Sequence, residues 1–339
     1  MHISGFASGG LNLLVIGAAL TCAAQEFDQG PVFGVIEEND FVVNTDRHYT
    51  QGIKLSYLGA DGRVPGFARW ISERMATLGF EKKTEKFGYE LGQNIYTPAH
   101  IRATQLLLDD RPYGGWLYGG LVLQRRGLAA NRWLSLDHFQ LDVGIIGPEA
   151  LGEDAQNWVH RVRGFEEALG WDHQLETEPG VALKYQRSWL LTTPLDRPRW
   201  FDLIPHAGAS VGNVDTSLRA GLTFRAGWNL PVDFGFQTID SLGTLEGGWS
   251  ESRTMSRWGV YGFGSLEGRA VFYSTFLDGN LFHNSHHVEK EILTGDFRGG
   301  IVLVLRRIEL ALTYIFRTPE FIGQTEDDSF GSFAFKYKF

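Results

Sequence analysis

The 339-residue sequence has one cysteine, Cys22, so it carries no disulfide framework and no cysteine-ligated metal centre. A long apolar run is also missing. The core from Leu11 to Leu20 in MHISGFASGGLNLLVIGAALTCAAQ falls well short of the roughly 20 residues a spanning helix needs, which excludes a helical membrane protein. This core, followed by Cys22-Ala23-Ala24, suits signal-peptidase cleavage before Gln25, although His2 is the only basic residue ahead of it. Residues 1–24 therefore read as a secretory leader and 25–339 as one exported domain. A lipoprotein reading is disfavoured because Leu20 and Thr21 precede Cys22. No G-x-S-x-G elbow occurs, so an α/β serine hydrolase is not indicated. A net charge of -9 gives no reason to expect a nucleic-acid partner.

What is present points elsewhere. The chain has 42 Gly, 13% aromatic residues and many short segments that alternate apolar with polar, as when one strand face meets lipid and the other a polar lumen. The end of the chain, Ser332-Phe333-Ala334-Phe335-Lys336-Tyr337-Lys338-Phe339, sets aromatics at every second position and finishes on Phe, like the terminal strand of a bacterial outer-membrane barrel. The same period runs through Leu218-Ala220-Leu222-Phe224-Ala226-Trp228, with Arg219 and Arg225 between them on a face that belongs in a wet interior.

Segments near 32–39, 50–59, 86–96, 115–126, 133–146, 180–192, 200–212, 217–230, 257–275, 290–305, 308–318 and 330–339 read as about twelve strands. The expected fold is thus all-β, a transmembrane antiparallel barrel. Val64 to Leu78, with Pro65 near its start, reads as a helical insertion on the periplasmic side between the second and third strands. With both termini in the periplasm, segments near 40–49, 97–114, 147–179, 213–216, 276–289 and 319–329 fall on the extracellular side.

Three polar clusters share that side: Glu37 to Asp40 with Thr45 to Thr50, Asp109-Asp110-Arg111-Pro112-Tyr113, and Gln156 to Arg161. Gln156 and His160 lie four residues apart, so a short helix ending near Gly164 sets both on one face. A histidine there can serve as general base near neutral pH. Asn39, Asp40, Asp46 and Glu166 offer the oxygen ligands that Ca²⁺ prefers. His283, His286 and His287 read as an exposed loop rather than a metal site.

Taken in order, NDFVVNTDRHYTQG from Asn39, GQNIYTP from Gly92, DDRPYGGW from Asp109 and IGPEALGEDAQNWVHRVRG from Ile146 resemble the lipid A 3′-O-deacylase family of Gram-negative outer membranes. The resemblance spans nearly the whole exported chain and implies a twelve-stranded, calcium-dependent esterase that removes the 3′ acyloxyacyl group of lipid A. It further implies that His160 is the catalytic base, that Gln156 and Glu166 are its companions, and that Asn39, Asp40 and Thr50 form the polar set on the first two strands. Asp40 is implied either as a Ca²⁺ ligand or as support for the histidine, and Glu166 as a candidate Ca²⁺ ligand. Where the family places a lysine after its Tyr-Ser/Thr-Pro motif, this chain has Ala99-His100-Ile101-Arg102 after Tyr96-Thr97-Pro98, so Arg102 is the candidate cation. Implied partners are lipopolysaccharide, outer-membrane lipids and the barrel assembly machinery, with the protein a monomer and its site at the extracellular rim. A non-enzymatic channel or structural barrel, and a barrel phospholipase, are the rival readings.

Overall fold

The computed structural model describes residues 30–39, 48–75, 79–129, 133–191, 199–236, 238–239 and 258–339. The leader read at 1–24, and Asp40, Thr45, Asp46 and Arg47 among the polar residues singled out above, lie outside the described residues.

Alternation with period two becomes twelve strands: β1 (Val32–Asn39), β2 (His48–Leu58), β3 (Phe80–Thr97), β4 (Gly114–Ala129), β5 (Leu134–Ile146), β6 (Glu178–Leu190), β7 (Phe201–Gly212), β8 (Asp215–Trp228), β9 (Trp258–Ser274), β10 (Leu293–Leu305), β11 (Ile308–Arg317) and β12 (Asp328–Lys338). Each pairs antiparallel with its neighbours in sequence, and β1 closes on β12 from Val32 opposite Lys338 to Asn39 opposite Gly331. Closure removes every sheet edge, the condition for crossing hydrocarbon with strands. The connections after odd-numbered strands leave from one end, here the upper rim, and those after even-numbered strands from the lower rim.

The two faces separate as the period requires. On β8, Leu218, Leu222 and Phe224 are exposed while Arg219 and Arg225 are buried. The inward arginines are held in ion pairs with carboxylates on neighbouring strands, and polar side chains such as Asn94, Lys184, Arg219 and Arg269 line a cavity inside the barrel. Arg225 pairs with Asp202 at 2.6 Å and with Asp233, Arg317 with Asp296 at 2.8 Å, Arg298 with Glu267 at 2.9 Å and Lys336 with Glu309 at 3.0 Å. Charges taken out of water need such partners. After β8 the chain turns into the barrel from the lower rim. Val232 and Phe234 pack on Leu134, Leu136, Leu190 and Ile204, Leu230 and Phe236 pack against Tyr261, Val302 and Ala334, and the Ile239 N–H donates to Glu38 at 2.7 Å. Sequence reading missed this plug because its side chains cover a surface built from many distant strands.

The expected insertion appears as α1 (Gly66–Arg74) behind Pro65 at the lower rim. A longer helix, α2 (Gly152–Arg163), follows β5 at the upper rim, and a single turn, α3 (Thr275–Asp278), follows β9. β3 begins six residues earlier than its apolar pattern suggests, at Phe80, because its outward positions there are the charged Lys83 and Glu85.

Candidate active site

The helix carrying His160 lies on the outside of the barrel wall. Gly115 on β4 faces outward, in register with Ile95 on β3 and beyond it Gln51 on β2 and Asn39 on β1. A side chain at Gly115 would meet Ala150 and Gly152, and one at Gly152 would meet the Trp171 ring at 2.7 Å, so two glycines allow the helix to sit on the sheet. Gln93 fixes its entry: Nε2 donates to Ala150 O at 2.7 Å and Leu151 O at 3.3 Å. Leu151, at the N-cap, has φ 57°, a left-handed conformation costing roughly 1–2 kcal/mol for a residue with a Cβ. At the far end Arg163 Nη2 donates to Glu37 on β1 at 3.1 Å. Twelve residues rise about 18 Å, enough to cross the four strands from β4 to β1. His160, one turn before Arg163, therefore lies toward β2 and β1, where Thr50 and Asn39 are.

The buried face of α2 is Gly152, Gln156, Asn157 and His160, the helical spacing expected from sequence. Gln156 is fully buried; its Oε1 accepts from Trp171 Nε1 at 2.9 Å, and its Nε2 has no hydrogen-bond partner among the described residues. The imidazole of His160 is buried, with Nδ1 2.5 Å from the backbone oxygen of Glu166. A carbonyl only accepts, so Nδ1 carries a proton, and in the neutral ring that leaves the lone pair on Nε2. Gly164, at φ 77°, reverses the chain as the helix ends, which is how a residue six positions on reaches back to His160. Asn157 holds that return: Oδ1 accepts from Ala168 N at 2.9 Å and Nδ2 donates to Ala168 O at 3.4 Å.

The Glu166 side chain points away from the imidazole. Its carboxylate pairs with Arg102 at 2.5 Å on the surface, both side chains more than half exposed. Arg102 and Glu166 are thus together, and Glu166 meets His160 through its main chain. Asn39 ends β1, half-buried on the outward face; Thr50 stands at a bulge in β2, its hydroxyl 2.7 Å from that of Thr97. Asp40, the next residue after Asn39, lies outside the described residues. Among the described residues no group of three or more His, Cys, Asp or Glu converges as a metal site. Asn39, Thr50 and Glu166 carry hard oxygen donors, the kind that suits Ca²⁺ and not a soft metal.

Beside the site a groove of about 1090 Å³ runs down the outer wall. Glu37, Asn39, Arg163 and Phe165 form its mouth, and Gly299, Ile301, Leu303, Leu312 and Phe333 form its length on β10 to β12. The Phe165 ring also meets His160 edge-on at 6.0 Å, which joins groove and histidine. Sequence reading missed Glu37 and Arg163 as a strap, although a glutamate in the outward register of β1 breaks the apolar pattern and was open to notice.

The other polar cluster is a clasp. Arg111 is buried and donates to Glu320 at 2.8 Å, tying the connection after β3 to that after β11. Asp110 accepts from the N–H groups of Ala99 and Arg111, both at 2.7 Å. His286 lies 2.7 Å from Asp110 O, whereas His283 is half exposed beside Glu178.

Strands that show leucines outward and paired charges inward around the full circle are those of an outer-membrane β-barrel, here with its candidate chemistry on the lipid side of the wall. The chain belongs to the outer membrane protein LpxR family, whose model matches residues 11–339. This is the lipid A 3′-O-deacylase family that its motifs resemble. Among solved structures the chain is similar to LpxR from Salmonella typhimurium, at 21% identity over 91% of this chain and 100% of that one, with a TM-score of 0.71. The β domain of the Bordetella autotransporter BrkA matches at 12% identity over 92% of this chain and 100% of that one, with a TM-score of 0.46. No curated protein matches the sequence.

Proposed function

We propose that the protein is an esterase that removes the 3′ acyloxyacyl group of lipid A at the extracellular rim, with His160 as general base. The observation that carries this reading is a buried histidine, its Nδ1 proton held by the Glu166 carbonyl, next to an apolar groove open to the membrane. The acyl chain lies along the groove and the ester at its mouth. His160 Nε2 takes a proton from water as the water oxygen attacks the ester carbonyl. The same proton then passes to the departing 3′ oxygen, leaving a free hydroxyl on the sugar and a carboxylic acid. The Glu166 carbonyl keeps the ring oriented and steadies the imidazolium while it lasts. Gln156 Nε2, a buried donor lacking an acceptor among the described residues, supports a role in holding a substrate oxygen.

Bound Ca²⁺ would supply positive charge to the ester oxygen as it becomes an anion. Asp40 with Asn39 would hold it, and Glu166 could join only by leaving Arg102. Among the described residues, ion pairs and residues 230–236 and 238–239 stand inside the barrel, which favours the esterase over the channel reading.

Mass spectrometry of lipid A from cells with and without the protein tests the proposal, with calcium and with chelator. Loss of one 3′ acyloxyacyl group, absent in His160→Ala and after chelation, is the expected result. Unchanged lipid A defeats it, and fatty-acid release from glycerophospholipid would favour a phospholipase.

A further inference from the structure

The helix between β2 and β3 takes no part in the reading above. α1 crosses the outer wall at the lower rim, opposite α2. Its buried residues are Ala68 and Ser72. Val64 and Ala68 pack on Phe87 and Leu123, which face outward in register with the exposed Tyr89 and Leu121. Beneath the helix the outward face turns polar. Ser72 Oγ donates to Glu85, Lys83 Nζ reaches Glu85 at 2.7 Å, and Arg125 and Tyr185 each donate to Asp137 at 3.0 Å. Above these groups the outward positions are Tyr89, Leu91, Leu121, Leu141 and Leu183, all exposed. α1 therefore lies at the height where the apolar belt ends.

At 100° per residue the rest of its surface divides in two. Phe67, Trp70, Ile71 and Arg74 share one arc, and Arg69 and Glu73 share another on the far side of the buried residues. The apolar arc is bare: Phe67 is 55% exposed, Trp70 57% and Ile71 43%. Phe67 meets Phe87 edge-on at 5.5 Å and Phe87 meets Tyr89 at 5.4 Å, so an aromatic ladder runs from the lipid-facing belt onto the helix. Arg74 lies over the Trp70 ring at 4.0 Å, which puts a cation on the apolar arc at the helix's C-terminal end. One face on the barrel, one apolar and one charged is the arrangement of a helix lying in a membrane interface.

The geometry points to α1 as an interfacial anchor whose partner is a glycerophospholipid of the leaflet at the lower rim, with acyl chains against Phe67, Trp70 and Ile71 and phosphate against Arg74. Seated there, the helix sets the depth of the barrel and keeps the outward ion network of Glu85, Arg125 and Asp137 away from hydrocarbon, where charges cost several kcal/mol. This inference does not depend on the esterase reading.

The test uses the full chain with Cys22→Ser, refolded in vesicles of phosphatidylethanolamine and phosphatidylglycerol. Single variants Trp70→Cys, Ile71→Cys and Glu73→Cys carry an environment-sensitive fluorophore. Quenching by a lipid with a shallow nitroxide should be at least about two-fold stronger at positions 70 and 71 than at 73, with aqueous iodide showing the reverse, as an immersion of about 5–10 Å requires. Equal iodide access at all three positions overturns the proposal. So does shielding from both quenchers, the signature of a second copy or another protein over the helix. Heat-modifiable migration identifies folded variants, and Ile71→Cys carries the test if Trp70→Cys fails to fold.

Discussion

Two helices lie across the outer wall of this barrel at opposite rims, and they differ in what they press against it. α1 buries Ala68 and Ser72 over a set of wall charges that are already paired. α2 buries Gln156, Asn157 and His160, of which one amide nitrogen has no partner among the described residues. Both show apolar residues outward, Phe67, Trp70 and Ile71 on α1 and Trp158 and Val162 on α2. On the readings proposed above, an exposed apolar face goes with the membrane in each case, and the proposed chemistry goes with the polar content of the hidden face of α2. α2 also holds the strained Leu151, whereas α1 starts plainly behind Pro65.

The sharpest way to break this contrast is to remove the imidazole. His160→Ala should lower lipid A deacylation by at least about 10²-fold, while Phe67→Ser on α1 leaves the rate unchanged and both variants keep heat-modifiable migration; equal losses would erase the distinction. Next in size is Asn157→Ala, which frees the return loop bearing the Glu166 carbonyl and leaves the Ala168 N–H unpaired. A loss of about 1–2 kcal/mol corresponds to roughly tenfold in kcat, with KM little changed in a single-turnover and steady-state comparison.

Gly299→Phe probes the groove. A Cβ there meets only Phe263 O at 3.9 Å, so the barrel should fold, but the ring fills the space along β10. KM for a long-chain substrate should rise about tenfold, and a short-chain ester should be spared; an unchanged chain-length profile would detach the groove from the site. The clasp gives a smaller, pH-linked effect. Burial alone would raise the Asp110 carboxyl, but the His48 ring 3.6 Å away and hydrogen bonds from Ala99 N and Arg111 N hold it below its usual value. Its contribution is therefore complete above the ordinary carboxylate range and is lost as pH falls through the lowered value. Protease nicking of 98–113 should increase on acidification below about pH 4 in the wild type, and Asp110→Asn should show that nicking at neutral pH. Smallest of all is Arg102→Ala, because an exposed pair with Glu166 contributes no more than about 1 kcal/mol; a large fall in rate would assign Arg102 to substrate instead.

How much of this was legible before any fold was known follows from the range of each interaction. The strands could be read because outward leucines and inward arginines on β8 alternate within a few residues. The early start of β3 could not, since Lys83 and Glu85 face outward only where α1 covers them. The face shared by Gln156 and His160 was readable from a spacing of four, and the stop at Gly164 from its type. The Glu166 carbonyl was not, because a main-chain oxygen is the same in every residue and sequence cannot say which one a ring will meet.

The sequence by itself determined a barrel of twelve strands, the lipid-facing side of each, and a histidine on a short helix after β5, all consequences of periods measured over a few residues. Only the tertiary structure decided that this helix lies outside the wall, strapped by Arg163 to Glu37, and that the chain after β8 enters the lumen from the lower rim. Those features join residues more than a hundred positions apart, and closure of the barrel, not any local pattern, brings them within reach.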